Sequence, residues 1–283
     1  MGTILDGKAL REKILANLKK QIDNISLNVR PKLAVILVGD NPASQLYVNT
    51  KKKVAQKIGI ISEIISYPTS VMEDELVRKI EELNNDKTVT AILVQLPLPK
   101  HINKKRVINS IFPQKDVDGL SEYNMAKLFT GEIPWAYPCT PKGIMRLLDE
   151  YDIAIEGKHA VVVGRSDLVG RPVAQMLLNR NATVTTCHSY TKNLPEIIKT
   201  ADILISAVGK KLIGENMIKS GCVVVDVGIF KDESGKTTGD VDFNALEPIA
   251  SYITPVPGGI GPMTIASLMT NTYDLYLKQN KLS

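Results

Sequence analysis

The sequence is poor in the residues that form disulfides and bind metal ions. Its 283 residues include only three cysteines and three histidines. An odd number of cysteines without Cys-x-x-Cys spacing argues against a disulfide framework and a zinc site, and favours a reducing, cytoplasmic compartment. The histidines also lack metal-ligand spacing, so we predict no metal. These residues are Cys139, Cys187, Cys222, His101, His159 and His188.

Long apolar runs and dense basic patches are also missing. No run approaches the ~18 residues of a membrane span. The first ten residues, MGTILDGKAL, lack the basic and then apolar regions of a signal peptide. The net charge of +5 is spread along the chain, unlike the patch of a nucleic-acid binder. We therefore expect no membrane and no nucleic-acid partner, whereas small anionic ligands suit this charge.

Short apolar runs alternate with amphipathic segments along the chain, which predicts a mostly parallel α/β fold. A second series of such runs begins near residue 140, after a stretch rich in proline and glycine (112–143), so we place a domain boundary near 138. The predicted strands are 32–39, 63–67, 90–97, 159–164, 182–187, 201–209 and 222–228. The predicted helices are 8–24, 43–58, 71–84, 171–180 and 263–280, and Ser70 with Glu73 forms a possible capping box.

The segment VVVGRSDLVGRP follows an apolar strand and leads into a helix, the context of a dinucleotide-binding turn. Gly164 takes the place of the first glycine, Ser166 stands at the second, and Gly170 falls one residue late for the third. The fingerprint is weak by itself, and a tight turn without a ligand is the alternative.

The next predicted strand indicates which dinucleotide would bind. NAD sites usually place an acid near the end of that strand, to accept a hydrogen bond from the ribose 2′-hydroxyl. The segment TVTTCHSYTKN offers no acid, and Arg165 lies in the glycine turn. Both features favour NADP, although Asp167 beside the turn weighs against it.

The segment YVNTKKK raises the question of whether one lysine is catalytic. In a helix over 43–58, Ser44, Tyr47 and Lys51 lie on one face. The alternative is that all three lysines are solvated. A Tyr-x-x-x-Lys pair also occurs in short-chain dehydrogenases, but there the glycine turn precedes the pair, and here Tyr47 precedes Gly164.

Eight segments in one order over nearly the whole chain resemble the bifunctional methylenetetrahydrofolate dehydrogenase/methenyltetrahydrofolate cyclohydrolase family. They are ASQLYVNTKKK, VQLPLP, PQKDVDGLS, PCTPKG, VVVGRSDLVGRP, TVTTCHS, VDVGI and TPVPGGIGPMT. The resemblance implies a homodimer that oxidises 5,10-methylenetetrahydrofolate with NADP and hydrolyses the methenyl product to 10-formyltetrahydrofolate. It also implies two domains with a cleft between them: a βαβ folate domain (1–138 plus 263–283) and a Rossmann-like NADP domain (139–262).

Four residues match the catalytic positions of this family. Lys51 matches the catalytic lysine, Gln95 the amide that orients it, and Tyr47 the ring that packs on the folate. Asp118 matches the carboxylate that accepts hydrogen bonds from the two-donor edge of the pterin. Asp116 could pair with Asp118 as a metal site, but carboxylates in such a loop are more often turn residues.

Further residues match ligand-contacting positions. The resemblance implies folate contacts by Pro257, Gly258 and Gly259. The predicted cofactor contacts are Gly164, Arg165, Ser166, Gly170, Ser189, Ile229 and Thr264. The rival interpretations are a monofunctional dehydrogenase, a non-catalytic NADP or folate sensor, and a shikimate-dehydrogenase-like oxidoreductase.

Overall fold

The structure, a computed structural model, describes residues 2–282, with ten α-helices and eleven β-strands in that range. The helices are α1 (Gly7–Asp23), α2 (Pro42–Lys57), α3 (Glu73–Asn85), α4 (Lys104–Asn109), α5 (Glu122–Phe129), α6 (Cys139–Glu150), α7 (Gly170–Leu178), α8 (Leu194–Lys199), α9 (Phe243–Leu246) and α10 (Ile260–Gln279). The strands are β1 (Thr3–Ile4), β2 (Lys32–Val38), β3 (Ile61–Tyr67), β4 (Ala91–Val94), β5 (His159–Val163), β6 (Thr183–Cys187), β7 (Ile203–Ser206), β8 (Val223–Asp226), β9 (Phe230–Lys231), β10 (Thr237–Thr238) and β11 (Tyr252–Ile253).

Contacts divide the chain into two compact units, each named here by its main sheet. The six-stranded unit contains the chain up to Glu12 and Thr140–Ser267, and the three-stranded unit contains Lys13–Cys139 and the chain from Leu268 onward. The sequence placed residues 1–12 with the first domain, whereas β1 pairs with β11 in the six-stranded sheet. A strand of two residues has no periodicity to predict it. The assignment of folate and NADP binding to the two predicted domains stays a prediction.

The three-stranded unit has the strand order β3-β2-β4, with both pairs parallel. Strand β2 is central because its sequence, KLAVILV, is apolar almost throughout and can be buried on both faces. The buried residues Leu76 and Ile80 of α3 pack with Ile36 and Ile92 in one core cluster. The capping-box prediction is wrong, since α3 begins after Met72 with no side-chain cap.

The six-stranded unit has the order β1-β11-β8-β7-β5-β6, and every neighbouring pair is parallel. This sheet confirms the predicted Rossmann-like α/β architecture. Parallel strands end at the same edge of a sheet, so the loops after β5, β7 and β8 lie together, where ligands of open α/β sheets bind.

The segment 112–143, predicted to be rich in loops, contains helix α5 and the start of α6. Ser121 caps α5, since its hydroxyl accepts a hydrogen bond from the N–H of Asn124 at 3.4 Å. Among residues 2–282, no helix is long and apolar enough to cross a membrane.

Candidate active site

Helix α2 carries the lysine stretch, and its start is fixed by its own sequence. Asn41 accepts hydrogen bonds from the N–H groups of Ala43 and Ser44 at 3.0 and 3.1 Å, and proline occupies the first helical position. Lys51 is 6% exposed, and its Nζ lies 4.6 Å from the centroid of the Tyr47 ring. The structure therefore brings these two predicted residues together inside the three-stranded unit.

Gln95 follows the last residue of β4 and meets Lys51. The Lys51 ammonium donates a hydrogen bond to the Gln95 Oε1 at 3.0 Å. The Gln95 amide nitrogen donates to the Leu96 carbonyl at 2.7 Å, and its backbone N–H donates to Ile36 at 2.9 Å. Both bonds fix the amide, so that its oxygen faces the lysine.

Asp118 lies near Lys51 at the end of the KDVD segment, and glycine makes this position possible. Gly119 has φ +65°, and a Cβ there would lie 2.4 Å from the carbonyl oxygen of Ala136. Asp118 is half-buried and has a side-chain hydrogen bond with Cys139. Burial raises the pKa of the Asp118 carboxyl, and the positive charge of Lys51 opposes that rise.

The other carboxylate of this segment, Asp116, has a structural role. It is 1% exposed and accepts hydrogen bonds from the Ser121 N–H at 2.8 Å and the Asn124 side-chain amide at 2.9 Å. These bonds tie the loop to helix α5. No group of three or more His, Cys, Asp or Glu residues within 2–282 is arranged to hold a metal ion.

Burial shifts the pKa values of Tyr47 and Lys51 on α2. It lowers the pKa of Lys51 from its ordinary value, while the negative charge of Asp118 opposes the change. Burial raises the pKa of Tyr47, and Asp118 raises it further. Tyr47 therefore stays a neutral phenol, whereas Lys51 gives up its proton more easily than an exposed lysine. A lysine of this kind can act as a base.

Asn271 supports the site and was missed from the sequence. It lies in α10, is 1% exposed, and donates hydrogen bonds of 2.8 Å to the carbonyls of Val117 and Tyr137. It thereby links Val117, which precedes Asp118, to Tyr137, which lies two residues before Cys139. The signal in the sequence is an asparagine within an apolar helical segment. That signal does not indicate which groups the asparagine binds.

The glycine turn of the six-stranded unit has the geometry that a dinucleotide needs. Gly164 follows β5 with φ +124°, and a Cβ there would lie 2.5 Å from the Ala207 carbonyl oxygen. Gly170 begins α7, where a Cβ would lie 2.2 Å from the Gly164 carbonyl oxygen. Gly170 thus allows the close packing of turn and helix that the third glycine of the fingerprint provides, although it comes one residue late.

The surface around this turn has positive and apolar groups. The Arg165 guanidinium lies 5.8 Å from the centroid of the Tyr190 ring, and Asp167 pairs with Arg171 at 3.1 Å, which offsets its negative charge. The residues directly after β6 include no acid. The predicted cofactor residues with exposed side chains are Arg165, Ser166, Ser189 and Ile229. This edge therefore fits a dinucleotide with an added phosphate.

The predicted folate loop, 254–264, is packed against the start of α1. The Gly258 carbonyl accepts a hydrogen bond from the Lys8 N–H at 2.9 Å, and a Cβ on Gly7 would lie 1.9 Å from the Gly259 carbonyl oxygen. Pro257 is exposed, and Thr264 shares a 3.0 Å hydroxyl contact with Thr140. These contacts lie within the six-stranded unit.

Comparison with known proteins agrees with this arrangement. Residues 5–118 match the catalytic domain, and residues 138–280 the NAD(P)-binding domain, of the tetrahydrofolate dehydrogenase/cyclohydrolase family. The chain is 54% identical to the bifunctional protein FolD of Ligilactobacillus salivarius, over 97% of each chain.

Solved structures give the same result. The FolD methylenetetrahydrofolate dehydrogenase/cyclohydrolase of Campylobacter jejuni has a TM-score of 0.96 and 48% identity, covering 99% of this chain and 100% of that one. The Trypanosoma brucei FolD, complexed with NADP cofactor and inhibitor, has a TM-score of 0.94 and 36% identity over 99% of each chain. The chain belongs to the tetrahydrofolate dehydrogenase/cyclohydrolase family.

Proposed function

We propose that this chain is a bifunctional folate enzyme that uses NADP to oxidise 5,10-methylenetetrahydrofolate and then hydrolyses the methenyl product to 10-formyltetrahydrofolate. The observation that carries this proposal is the buried Lys51, hydrogen-bonded to Gln95 in a chain of this family. The dehydrogenase needs no such lysine, whereas the hydrolytic step does.

The oxidation removes a hydride from the one-carbon bridge of the substrate. The neighbouring nitrogen lone pair stabilises the methenyl cation that forms, and no hydroxyl proton has to leave, so the protein needs no base for this step. NADP, when bound, supplies the hydride acceptor. The residues that would hold it are those of the glycine turn, with Ser189, Ile229 and Thr264. Their task is orientation.

In the hydrolysis, water adds to the methenyl carbon and one of its protons leaves. The other proton moves to N5 as the bond between that carbon and N5 breaks to give the 10-formyl group. An ordinary lysine, with a pKa near 10.4, is neutral in only about one molecule in 2,500 at pH 7. Burial lowers the pKa of Lys51, which increases the neutral fraction that can accept the proton. Gln95 holds the amine in place through its 3.0 Å hydrogen bond. Lys51 is the catalytic base of this proposal.

Folate binding is proposed for Asp118, Tyr47 and the loop of Pro257, Gly258 and Gly259. The Asp118 carboxylate can accept two hydrogen bonds from the pterin edge. Burial raises the pKa of the Asp118 carboxyl, and Lys51 in its ammonium form opposes that rise without reversing it. Tyr47 supplies a neutral aromatic ring beside the lysine.

Two details concern selectivity. NADP is preferred over NAD in this proposal because Arg165 lies in the glycine turn and no acid follows β6. Relatives named bifunctional, at about half identity, favour both activities over a monofunctional dehydrogenase.

A homodimer and a cytoplasmic location are further proposals, supported by the family resemblance and the sequence composition.

The test is to incubate purified protein with 5,10-methylenetetrahydrofolate and either NADP⁺ or NAD⁺, and to follow the formation and loss of the methenyl product. We expect faster oxidation with NADP⁺, and methenyl loss faster than in buffer alone. Absence of oxidation with both nucleotides would refute the dehydrogenase. Methenyl that accumulates and decays at the uncatalysed rate would leave only the monofunctional alternative.

A further inference from the structure

Two buried carboxylates in the six-stranded unit have no part in the chemistry above. Asp226 ends β8 and is 2% exposed, and Asp240 follows β10 and is 0% exposed. No Lys or Arg side chain is bonded to either carboxylate in the described part of the chain. A buried carboxylate is costly unless hydrogen bonds satisfy it, so both positions need an explanation.

Asp240 clamps the loop that follows β7. Its Oδ2 accepts hydrogen bonds from the Ser206 hydroxyl at 2.9 Å and the Val208 N–H at 2.7 Å. Its Oδ1 accepts a third bond, from the Lys210 N–H, at 3.0 Å. One side chain therefore fixes three groups within five consecutive residues.

Asp226 clamps the neighbouring loops in the same way. Its Oδ1 accepts from the N–H groups of Gly228 at 3.0 Å and Asp240 at 2.9 Å, and its Oδ2 accepts from Val241 at 3.0 Å. The backbone N–H of Asp226 also donates to the Thr254 hydroxyl at 2.7 Å, at the start of the predicted folate loop.

Two glycines show how closely the carboxylates and loops interlock. A Cβ on Gly228 would lie 1.9 Å from the Asp240 Oδ1, and one on Gly239 would lie 2.0 Å from the Asp226 Oδ2. Each carboxylate is thus packed against backbone that the other holds. We call Asp226, Asp240, Gly228 and Gly239 together the carboxylate lock.

The lock is connected to the dinucleotide site by direct contacts. Ala207, in the loop clamped by Asp240, packs its carbonyl on Gly164 of the glycine turn, and its N–H donates to the Val163 carbonyl at 2.8 Å. Gly228, clamped by Asp226, directly precedes Ile229, whose side chain is 65% exposed. These loops follow β7 and β8, at the edge of the sheet where ligands of open α/β folds bind.

We infer that Asp226 and Asp240 are positioning residues for the dinucleotide: they hold the Ala207 and Ile229 loops in the conformation that binds NADP. This inference rests on the proposed function, because that function supplies the nucleotide. Both carboxylates are buried, so we assign neither a contact with the reacting atoms. Because these carboxylates hold the backbone of both loops, less ordering is required when the nucleotide binds.

The test measures the Kd for NADP⁺ by titration calorimetry in Asp240→Asn, Asp226→Asn and Ser206→Ala. Each Asn variant puts an amide N–H where an N–H donor already points, and Ser206→Ala removes one donor and leaves the carboxylate. We expect the Kd to rise about tenfold in the Asn variants, the effect of roughly one lost charged hydrogen bond. Ser206→Ala should raise it less.

Two readouts separate positioning from general destabilisation. In Asp240→Asn, hydrolysis of supplied methenyltetrahydrofolate, which needs no nucleotide, should stay at the wild-type rate, while the KM for NADP⁺ rises more than kcat falls. Asp232→Asn is the matched control, since Asp232 is exposed and accepts bonds only within its own turn, from Ser234 and Lys236, among the described residues. It should leave the Kd unchanged.

The outcomes are distinct. An unchanged Kd in all three variants, with or without a lower melting temperature, would overturn the inference. If the Asn variants do not fold, Ser206→Ala decides: an unchanged Kd overturns the inference and a raised Kd supports it. Failure of the wild-type protein to bind NADP⁺ would instead overturn the proposed cofactor and, with it, this inference.

Discussion

The two units bury ionisable groups in different ways. In the six-stranded unit, Asp226 and Asp240 each accept three hydrogen bonds, mostly from backbone N–H groups. In the three-stranded unit, Lys51 has three N–H bonds to donate, and among the described residues its Nζ donates one, to Gln95. Each aspartate thus uses most of its acceptor capacity, whereas the lysine uses one of its three donors.

This difference distinguishes the two aspartates, which hold backbone loops in place, from Lys51, which we propose exchanges a proton. Burial raises the pKa of Asp226 to about 6, and the backbone N–H groups of Val241, Asp240 and Gly228 oppose that rise. A lysine that is buried and only partly bonded is held less firmly in the charged form, so it can exchange its proton with a substrate. Burial alone therefore does not identify a catalytic group, and the number of satisfied bonds adds the missing information.

Replacing Lys51 should have the largest effect. We expect Lys51→Met to lower methenyl hydrolysis about 100- to 10,000-fold, the usual contribution of acid–base catalysis, with oxidation retained. Met fills much of the same space without a charge, and the bond lost is to the half-buried Gln95, so the melting temperature should fall little. Single-turnover assays of each step, with thermal unfolding as the control, would measure this. Hydrolysis at the wild-type rate would mean that Lys51 is not the base.

The carboxylate lock can be broken from its glycine side. Gly228→Ala would place a methyl group 1.9 Å from the pinned Asp240 carboxylate, so we expect it to lower the free energy of unfolding by about 3 kcal/mol. Urea denaturation would measure the loss. The control is Gly214→Ala, where nothing lies within 4 Å of the added Cβ and φ is −121°. Equal stability of both variants would contradict the interlocked geometry.

A second buried lysine sharpens the contrast within one unit. Lys115 is 7% exposed, and its Nζ donates to the carbonyls of Leu83 at 2.9 Å and Asp86 at 2.7 Å, at the end of α3. Lys115→Met would leave both carbonyls without this donor, at a cost of about 2 kcal/mol in the free energy of unfolding. Hydrolysis per folded molecule should not change. Urea denaturation and the hydrolysis assay together test this, and a loss of hydrolysis without a loss of stability would contradict it.

The sequence predicted the main elements because the strands are continuous apolar runs. Strands β2, β4 and β5 are buried almost throughout, so hydrophobicity marks them directly. Strands β1 and β11 have two residues each, and only their pairing partners define them. Helix α5 lies in a stretch rich in proline and glycine, where the Ser121 cap is the main local signal.

The part of the candidate site that was predictable from the sequence is the part set by the helical periodicity of one segment. Helical phase distinguishes Lys51 from its neighbours, and the family resemblance adds Gln95 and Asp118. Contacts between distant residues are not predictable in this way. Asn271 and Val117 are 154 positions apart, and nothing in the periodicity of either segment indicates their hydrogen bond. The bonds of Asp226 and Asp240 were missed for the same reason.

Changing the residue that is hydrogen-bonded to Lys51 should shift the pH dependence of hydrolysis. The pKa of Lys51 is lowered, so hydrolysis should rise with pH as the ammonium loses its proton, at a pH below the ordinary lysine value. Gln95→Glu would put a carboxylate against the ammonium and raise that pKa, which shifts the profile upward by about one unit and slows hydrolysis about tenfold at neutral pH. Rate–pH profiles would show this, with the exposed Gln45→Glu on the same helix as control. An unmoved profile would exclude Lys51 as the titrating base.

The smallest effect is expected at the two lysines next to Lys51. Lys52 is half-buried and Lys53 is exposed, and α2 turns them about 100° and 200° away from Lys51. Neither is in the face that carries Tyr47 and meets Gln95, so removing either charge affects mainly solvent contacts. Lys52→Ala and Lys53→Ala should each change the free energy of unfolding by less than about 0.5 kcal/mol and hydrolysis by less than about twofold. A large loss of hydrolysis in either variant would mean that positive charge along the helix, and not the bonding state of one buried amine, controls the reaction.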